Sequence, residues 1–413
     1  MNREPVVLIV GGGPAGLAAA HSLARRGVSN VVVVEREPEA GGIPRFCPHP
    51  TFGLTDFFRP MSGPAYAARW RSLVDPGTIL SSTTVTSIGS ELETMLSGDE
   101  GEVLVRPKRL LLATGIRETP RAGRLVSGDR PRNIFTTGAL QRVLSEGKGL
   151  PFRRPVIVGT ELVSFSALLS LRDAGVRAAA MVEPGERIVA RRPADLFARA
   201  VLGTPIRYHS RVVRINAAAD DAGRMASVTI EDAVGRSEEV ACDAVIFTGC
   251  FTPEASLLGR RPDLRDVGTR GPAVDQFWRL AERGLYAAGN VLRPVETAAW
   301  SAREGALAGE AIADDHFGGA PLGERRLQIR ADGLVAFSTP SCLTVPGPAL
   351  GPMRMAVRVK RAAQGRFALS ADGAIVWRSG LMRVRPERRI VLDPKFPDLE
   401  NVGELRIGFE AQA

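Results

Sequence analysis

Two stretches of this chain place glycine where a backbone could hold a phosphate. The first is Gly11-Gly12-Gly13-Pro14-Ala15-Gly16, set between the apolar run VVLIV and a helix-like run that leads to VVVVE, ending at Glu35. Its glycines have separate jobs. Gly11 makes the tight turn after the strand, Gly13 lets backbone amides approach a pyrophosphate, and Gly16 lets the helix pack close to the strand. Pro14 and Ala15 open the helix, whose free amides and partial positive charge suit an anion. Glu35 lies 19 residues beyond Gly16. There it can accept both hydroxyls of an adenosine ribose, and it would repel a 2′-phosphate, which argues against NADP.

The second stretch repeats the scheme in damaged form. PVIV is followed by Gly159-Thr160-Glu161-Leu162-Val163-Ser164, a helix-like run, and AAAMVE ending at Glu183. Only the first glycine survives. Glu161 puts bulk and negative charge where a pyrophosphate would sit, and Ser164 replaces the glycine of close packing. Glu183 keeps the ribose position and favours NADH over NADPH. The claim on NADH is therefore weakened without being removed, and a nucleotide fold with no nucleotide, or one holding ATP or AMP, stays open.

The elements that must position these turns can be read from periodicity. Strand 6–10, helix about 14–26 and strand 31–35 form a βαβ unit with an all-apolar first strand, hence a buried parallel sheet. LLLATG ends a strand-like stretch at Gly115. Strand 155–158, helix about 161–173 and strand 178–182 repeat the order, and AVIFTG closes at Gly249. GLYAAGN (284–290) and an amphipathic helix to about 315 return to the first unit. The expected fold class is α/β, with two Rossmann-like dinucleotide-binding domains, the second inserted in the first, plus a small β-rich C-terminal domain. Residues 1–120 and 265–320 make the first domain, 121–264 the second, and 325–413, with alternating segments and Asp-Gly turns, the third.

Composition excludes several classes. Hydrophobic content of 44% and charged content of 24% over 413 residues are those of a multidomain globular protein. No run of about 18 apolar residues offers a membrane span. The apolar N-terminus lacks a basic leader and is broken by glycines, so it is not read as a signal peptide. The net charge of +9 comes with only four lysines among 54 basic residues, and these are scattered without interleaved aromatics, so no nucleic-acid partner is expected. Cys47, Cys242, Cys250 and Cys342 form no C-x-x-C pair. A redox dithiol, a zinc ribbon or an iron–sulfur cluster from this chain alone is not expected. Free thiols fit a cytoplasmic location, with a membrane-peripheral one left open.

Taken with Ala113-Thr114-Gly115 and Ala288-Gly289-Asn290, the first fingerprint resembles that of the FAD enzymes with two dinucleotide-binding domains, relatives of the pyridine nucleotide–disulfide reductases. GGIPRFCPHP (41–50), ATGIRETPR (113–121), GTELVSFSALLSL (159–171) and GNVLRPVETAAW (289–300) are similar to the flavin subunits of opine oxidases, of hydrogen cyanide synthase and of dye-linked proline or hydroxyproline dehydrogenases. The resemblance covers about residues 5–315.

The resemblance implies a set of roles. Gly11, Gly13, Pro14, Ala15, Gly16, Glu35 and Arg36 would hold the ADP half of FAD. Gly42, Ile43 and Arg45 would follow the pyrophosphate and ribityl chain, and Val85 would touch adenine by its backbone. Thr114 and Gly115 would close over the nucleotide. Gly289 and Asn290 stand for the Gly-Asp of the wider superfamily. Glu296, Thr297 and Ala298 would start a helix aimed at the flavin's pyrimidine edge, stabilising charge at N1/O2 of the reduced ring. Cys47 and His49 lie in a loop that the family places near the flavin, where proton transfer or loop packing would be their role. Trp300 would lie beside the flavin, at a subunit contact or against substrate. The function implied is the flavin subunit of an amine or amino-acid dehydrogenase or oxidase, acting on an opine, a proline-like or a glycine-like small-molecule amine. Electrons would pass through FAD to an acceptor or partner: a second flavin-dependent, amino-acid-oxidase-like subunit and a small ferredoxin-like subunit. A self-sufficient NADH-dependent flavin reductase and a non-catalytic FAD-stabilised subunit are the alternatives.

Overall fold

In the computed structural model, residues 4–412 are described except 260, 320–322, 324, 349, 351, 352, 387 and 397. The outer bounds 1, 320 and 413 of the expected domains lie outside the described residues. The chain divides into two compact units, Met1–Gly42 with Ala67–Ile116 and Thr252–Ala413, and Ile43–Tyr66 with Arg117–Phe251. The fold is α/β with two Rossmann-like sheets and a β-rich C-terminal region.

The first unit is built on a five-stranded parallel sheet in the order Leu285–Ala287, Arg109–Leu112, Val7–Val10, Val31–Val34, Ile79–Leu80. Val7–Val10 is buried along its whole length, as an apolar strand flanked on both faces must be. Helix Pro14–Arg25 follows it, with Gly13 as N-cap and Pro14 in the first turn, where its missing N–H costs no hydrogen bond. Helix Ala298–His316 packs along it. A Cβ on Gly305 would lie 2.0 Å from the Ala15 carbonyl oxygen, and one on Gly309 2.7 Å from that of Ala19, so the two backbones meet through glycine.

The second unit has its own parallel sheet, ordered Ile134–Thr136, Ala244–Phe247, Pro155–Val158, Ala180–Val182, Ile206–Arg207. Its order matches that of the first strand for strand around the fingerprint-bearing strand. Each unit also carries an antiparallel meander. One comprises Thr84–Ile88, Thr94–Gly98 and Gly101–Val105; the other comprises Ser210–Ala218, Asp221–Asp232 and Ser237–Ala241.

The C-terminal region has two sheets, one centred on Arg325–Ala331, Leu405–Ala411 and Ala363–Ala371, the other on Val335–Thr339, Met355–Val359 and Ile390–Leu392. Leu343, Met355, Val357, Phe367, Leu369 and Ile407 fill the core between them. Buried Asp275 and Gln276 fasten this region to the rest of its unit. The Asp275 carboxylate accepts from Thr344 Oγ1 at 2.7 Å, and the Gln276 side chain bonds the Thr344 backbone on both sides.

Candidate dinucleotide and flavin site

The first fingerprint forms a turn that only glycine can make. Gly11 has φ +107°, and a Cβ there would stand 2.5 Å from the Ala113 carbonyl oxygen. A Cβ on Gly16 would stand 1.9 Å from the Gly11 carbonyl oxygen, so the helix approaches the strand at a distance no other residue permits. At Gly13 the nearest atom to such a Cβ is Gly42 Cα, 3.9 Å away, and at Gly115 nothing lies within 4 Å. The crowded glycines thus shape the turn, while Gly13 and Gly115 leave open backbone beside a helix start that no side chain caps. This is the room and the donor set that a pyrophosphate requires. Glu35 is buried and accepts from Gly12 N and Glu37 N, both at 2.9 Å, which fixes its carboxylate at the end of its strand.

The remaining first-unit candidates gather around this turn. Gly41 N donates to Gly12 O at 2.7 Å, bringing the Gly41–Gly42 loop against the fingerprint. Thr83 N donates to Glu35 O, which sets the strand bearing Val85 beside the acid. Arg36 is the next residue after it. Thr114 Oγ1 donates to Glu254 O at 2.6 Å, ordering the Thr114-Gly115 turn. Gly289, at φ +79°, abuts Ala15, and a Cβ on it would lie 2.8 Å from that of Ala15. Asn290 Oδ1 accepts from Glu296 N at 2.7 Å and its Nδ2 donates to Glu296 O at 3.1 Å, so the Gly289-Asn290 turn holds the entry to helix Ala298–His316. Thr297 is the N-cap, accepting from Trp300 N. The residues present fit FAD.

Ile43, Arg45, Cys47 and His49 belong to the second unit. Ile43 and Arg45 lie on a short 3₁₀ turn, Ile43–Phe46. Cys47 is buried and donates to Gln141 Oε1; Gln141 Nε2 donates to Ser166 Oγ at 2.7 Å; Ser166 bonds His49 Nε2, and His49 Nδ1 bonds Thr51. Burial pushes the Cys47 thiol up to about 12, against the hydrogen bonds from Ser166 and Gln141. The thiol is therefore protonated at neutral pH and a poor nucleophile. Burial likewise lowers His49 from its ordinary value, favouring neutral imidazole. What this geometry does is tie the loop after residue 43 to helices Thr137–Ser145 and Leu162–Asp173.

In the second fingerprint the space is filled. A Cβ on Gly159 would lie 2.4 Å from Glu161 Oε2, and one on Gly249 would lie 2.4 Å from Glu161 Oε1. The Glu161 carboxylate is lodged between the two glycine turns. Its Oε2 lies 2.9 Å from Ser164 Oγ and 3.1 Å from Thr248 Oγ1, and those two hydroxyls lie 2.6 Å apart, so two hydroxyl protons are shared within this cluster. Glu183 is equally engaged, accepting from Thr160 Oγ1 and from Gly185 N. Glu183 is thus engaged much as Glu35 is, by two donors; what sets the second copy apart is the Glu161 side chain in the place of Gly13.

Sequence reasoning missed one cluster. Glu296 is buried under two arginines of the C-terminal region, Arg358 at 2.8 Å and Arg389 at 2.5 Å. Arg293 pairs with Glu304, which also accepts from Trp300 Nε1 at 2.9 Å. The Arg389 guanidinium lies 3.7 Å over the centre of the Trp300 ring. Arg293 sits inside the motif 289–300, but nothing in a strand-rich tail singles out Arg358 and Arg389.

Fold and site together define an oxidoreductase with two Rossmann-like domains, one with open backbone at its fingerprint turn and one with a glutamate side chain there. The chain belongs to the pyridine nucleotide-disulphide oxidoreductase family, whose match covers residues 5–305, and it is an FAD-dependent member. Hydrogen cyanide synthase subunit HcnB of Pseudomonas protegens is 30% identical over 189 residues, 44% of this chain and 39% of that protein. Sarcosine oxidase subunit alpha of Corynebacterium sp. (strain U-96) is 27% identical over 282 residues, 62% of this chain and 27% of that protein. The chain thus spans well under half the length of these curated relatives. Among solved structures, thioredoxin reductase of T. acidophilum superposes with TM-score 0.62 at 20% identity, covering 76% of this chain and all of that one. L-proline dehydrogenase of P. horikoshii gives TM-score 0.56 at 17% identity, covering 77% of this chain and 57% of that one. No helix among the described residues is long and apolar enough to cross a membrane.

Proposed function

We propose that this chain is the flavin subunit of a heteromeric amine or amino-acid dehydrogenase or oxidase, working on an opine, a proline-like or a glycine-like amine. FAD, when bound, supplies a hydride acceptor. The chain's own residues do the rest: Gly13 and the uncapped helix start receive the pyrophosphate, Glu35 the ribose, and Asn290 with helix Ala298–His316 the flavin end. The observation that carries this reading is the filled second cradle. A micromolar affinity is worth about 8 kcal/mol. Two unit charges 4 Å apart repel by about 4 kcal/mol at an effective dielectric of 20, so the Glu161 carboxylate alone would remove a large part of what NADH could gain. Reducing equivalents then enter or leave through something other than a nicotinamide; relatives named as subunits support a multi-subunit assembly, in which the partners would be an amino-acid-oxidase-like subunit and a small ferredoxin-like one. Co-purification from the native host tests this. Recovery with a second flavoprotein chain that oxidises an amine supports it; an isolated chain whose flavin is rapidly bleached by NADH overturns it.

A further inference from the structure

The C-terminal region reaches the flavin end of the proposed site through a charge cluster that is not balanced. Strands Met355–Val359 and Ile390–Leu392 pair antiparallel with Val357 opposite Ile390, which puts Arg358 opposite Arg389. Like charges facing each other across a ladder repel. Glu296 relieves this by giving one oxygen to each arginine. Arg293, 1% exposed, lies 3.6 Å from the same carboxylate and bonds Glu304. Three guanidiniums therefore face two carboxylates. Among the described residues Nε and Nη1 of Arg293 and Nη1 of Arg358 donate no hydrogen bond, and Glu304 Oε2 accepts none, so three donor atoms stand against one acceptor. The two deeply buried arginines, Arg293 and Arg358, are matched by Glu296 and Glu304, and the surplus positive charge is carried by Arg389, whose side chain is 28% exposed. Buried guanidinium donors left without a partner are costly unless negative charge comes to meet them.

The cluster is joined directly to the Gly289-Asn290 turn, since Asn290 binds both backbone groups of Glu296. We infer that Arg358 and Arg389, supplied by the C-terminal β region, raise the reduction potential of the flavin by stabilising the negative charge its ring gains on two-electron reduction. Glu296 holds the pair in place and offsets part of their charge. The inference rests on the FAD placement proposed above. It gives the C-terminal region an electrostatic role at the cofactor, in which the two arginines act as positioning and tuning residues that need not touch substrate.

The sign of the effect makes it testable apart from activity. The flavin potential of the full chain would be measured against a reference dye in the wild type, Arg389→Gln, Arg389→Lys and Glu296→Gln. Arg389→Gln should shift the two-electron equilibrium towards oxidised flavin at least tenfold, about 30 mV downward. Glu296→Gln, which removes a negative charge, should shift it upward, and Arg389→Lys should stay within threefold of wild type. Shifts of the same sign in Arg389→Gln and Glu296→Gln, shifts below twofold in both, or flavin loss from both would overturn the inference. A wild-type chain with no flavin would instead defeat the proposed function.

Discussion

The two fingerprints share strand order, helix position and a terminal glutamate, yet one leaves backbone open and the other closes it with a side chain. At Gly13 the neighbourhood is empty to 3.9 Å; at the corresponding Glu161 a carboxylate lies between Gly159 and Gly249. Glu35 is fixed by the Gly12 amide of the fingerprint turn and the Glu37 amide of its own turn, whereas Glu183 is fixed by the Thr160 hydroxyl and the Gly185 amide. The lesson is that the same fold can fill its phosphate cradle from within. Glu161, Ser164 and Thr248 hydrogen-bond one another in the space that the first copy leaves beside Gly13.

The comparison breaks most sharply at the glycines. Gly16→Ala forces a Cβ to 1.9 Å from the Gly11 carbonyl, against backbone that cannot step aside. Overpacking of this kind typically costs about 1–3 kcal/mol or more, and flavin content read from absorbance should fall to near zero. Ser164→Gly, the equivalent position in the second copy, should leave flavin content unchanged. Next come the acids. Glu35→Gln weakens charge-assisted hydrogen bonds worth about 1.5–3 kcal/mol, so FAD affinity should drop by roughly tenfold to a hundredfold in a titration of the apoprotein; Glu183→Gln should leave it within threefold. The double variant Glu161→Gly with Ser164→Gly sharpens the contrast in the other direction. Removing the lodged carboxylate should bring NADH binding from undetectable to the sub-millimolar range, and a double variant that remains silent would show that more than Glu161 closes the cradle.

The smaller effects concern the second unit's polar network. His49 is held below its ordinary value in the folded chain, mainly by burial. The unfolded chain therefore takes up more protons as pH falls below about 6.5, and stability declines there. His49→Gln should flatten that acid limb in melting curves taken across pH. Thiol labelling of the native protein at neutral pH should modify exposed Cys250 quickly and buried, protonated Cys47 only on unfolding.

Much of this was legible in sequence because it is local. Glycine spacing and the acid at the end of the next strand specify the first cradle within 25 residues, Gly11 to Glu35. The damage at Glu161 and Ser164 was equally visible, but not that the carboxylate folds back onto Thr248, 87 residues away. The Cys47–Gln141–Ser166–His49 network joins three distant segments, and no spacing rule connects them. Arg358 and Arg389 carry no local signature among so many arginines. Their role arises only from strand register and from docking on Glu296, 62 and 93 residues away in the chain.

The asymmetry between the cradles is tested most directly by calorimetric titration of NADH into the flavin-loaded wild-type chain. No binding is expected up to millimolar NADH, with one FAD retained per chain; saturable one-site binding in the micromolar range would contradict the account.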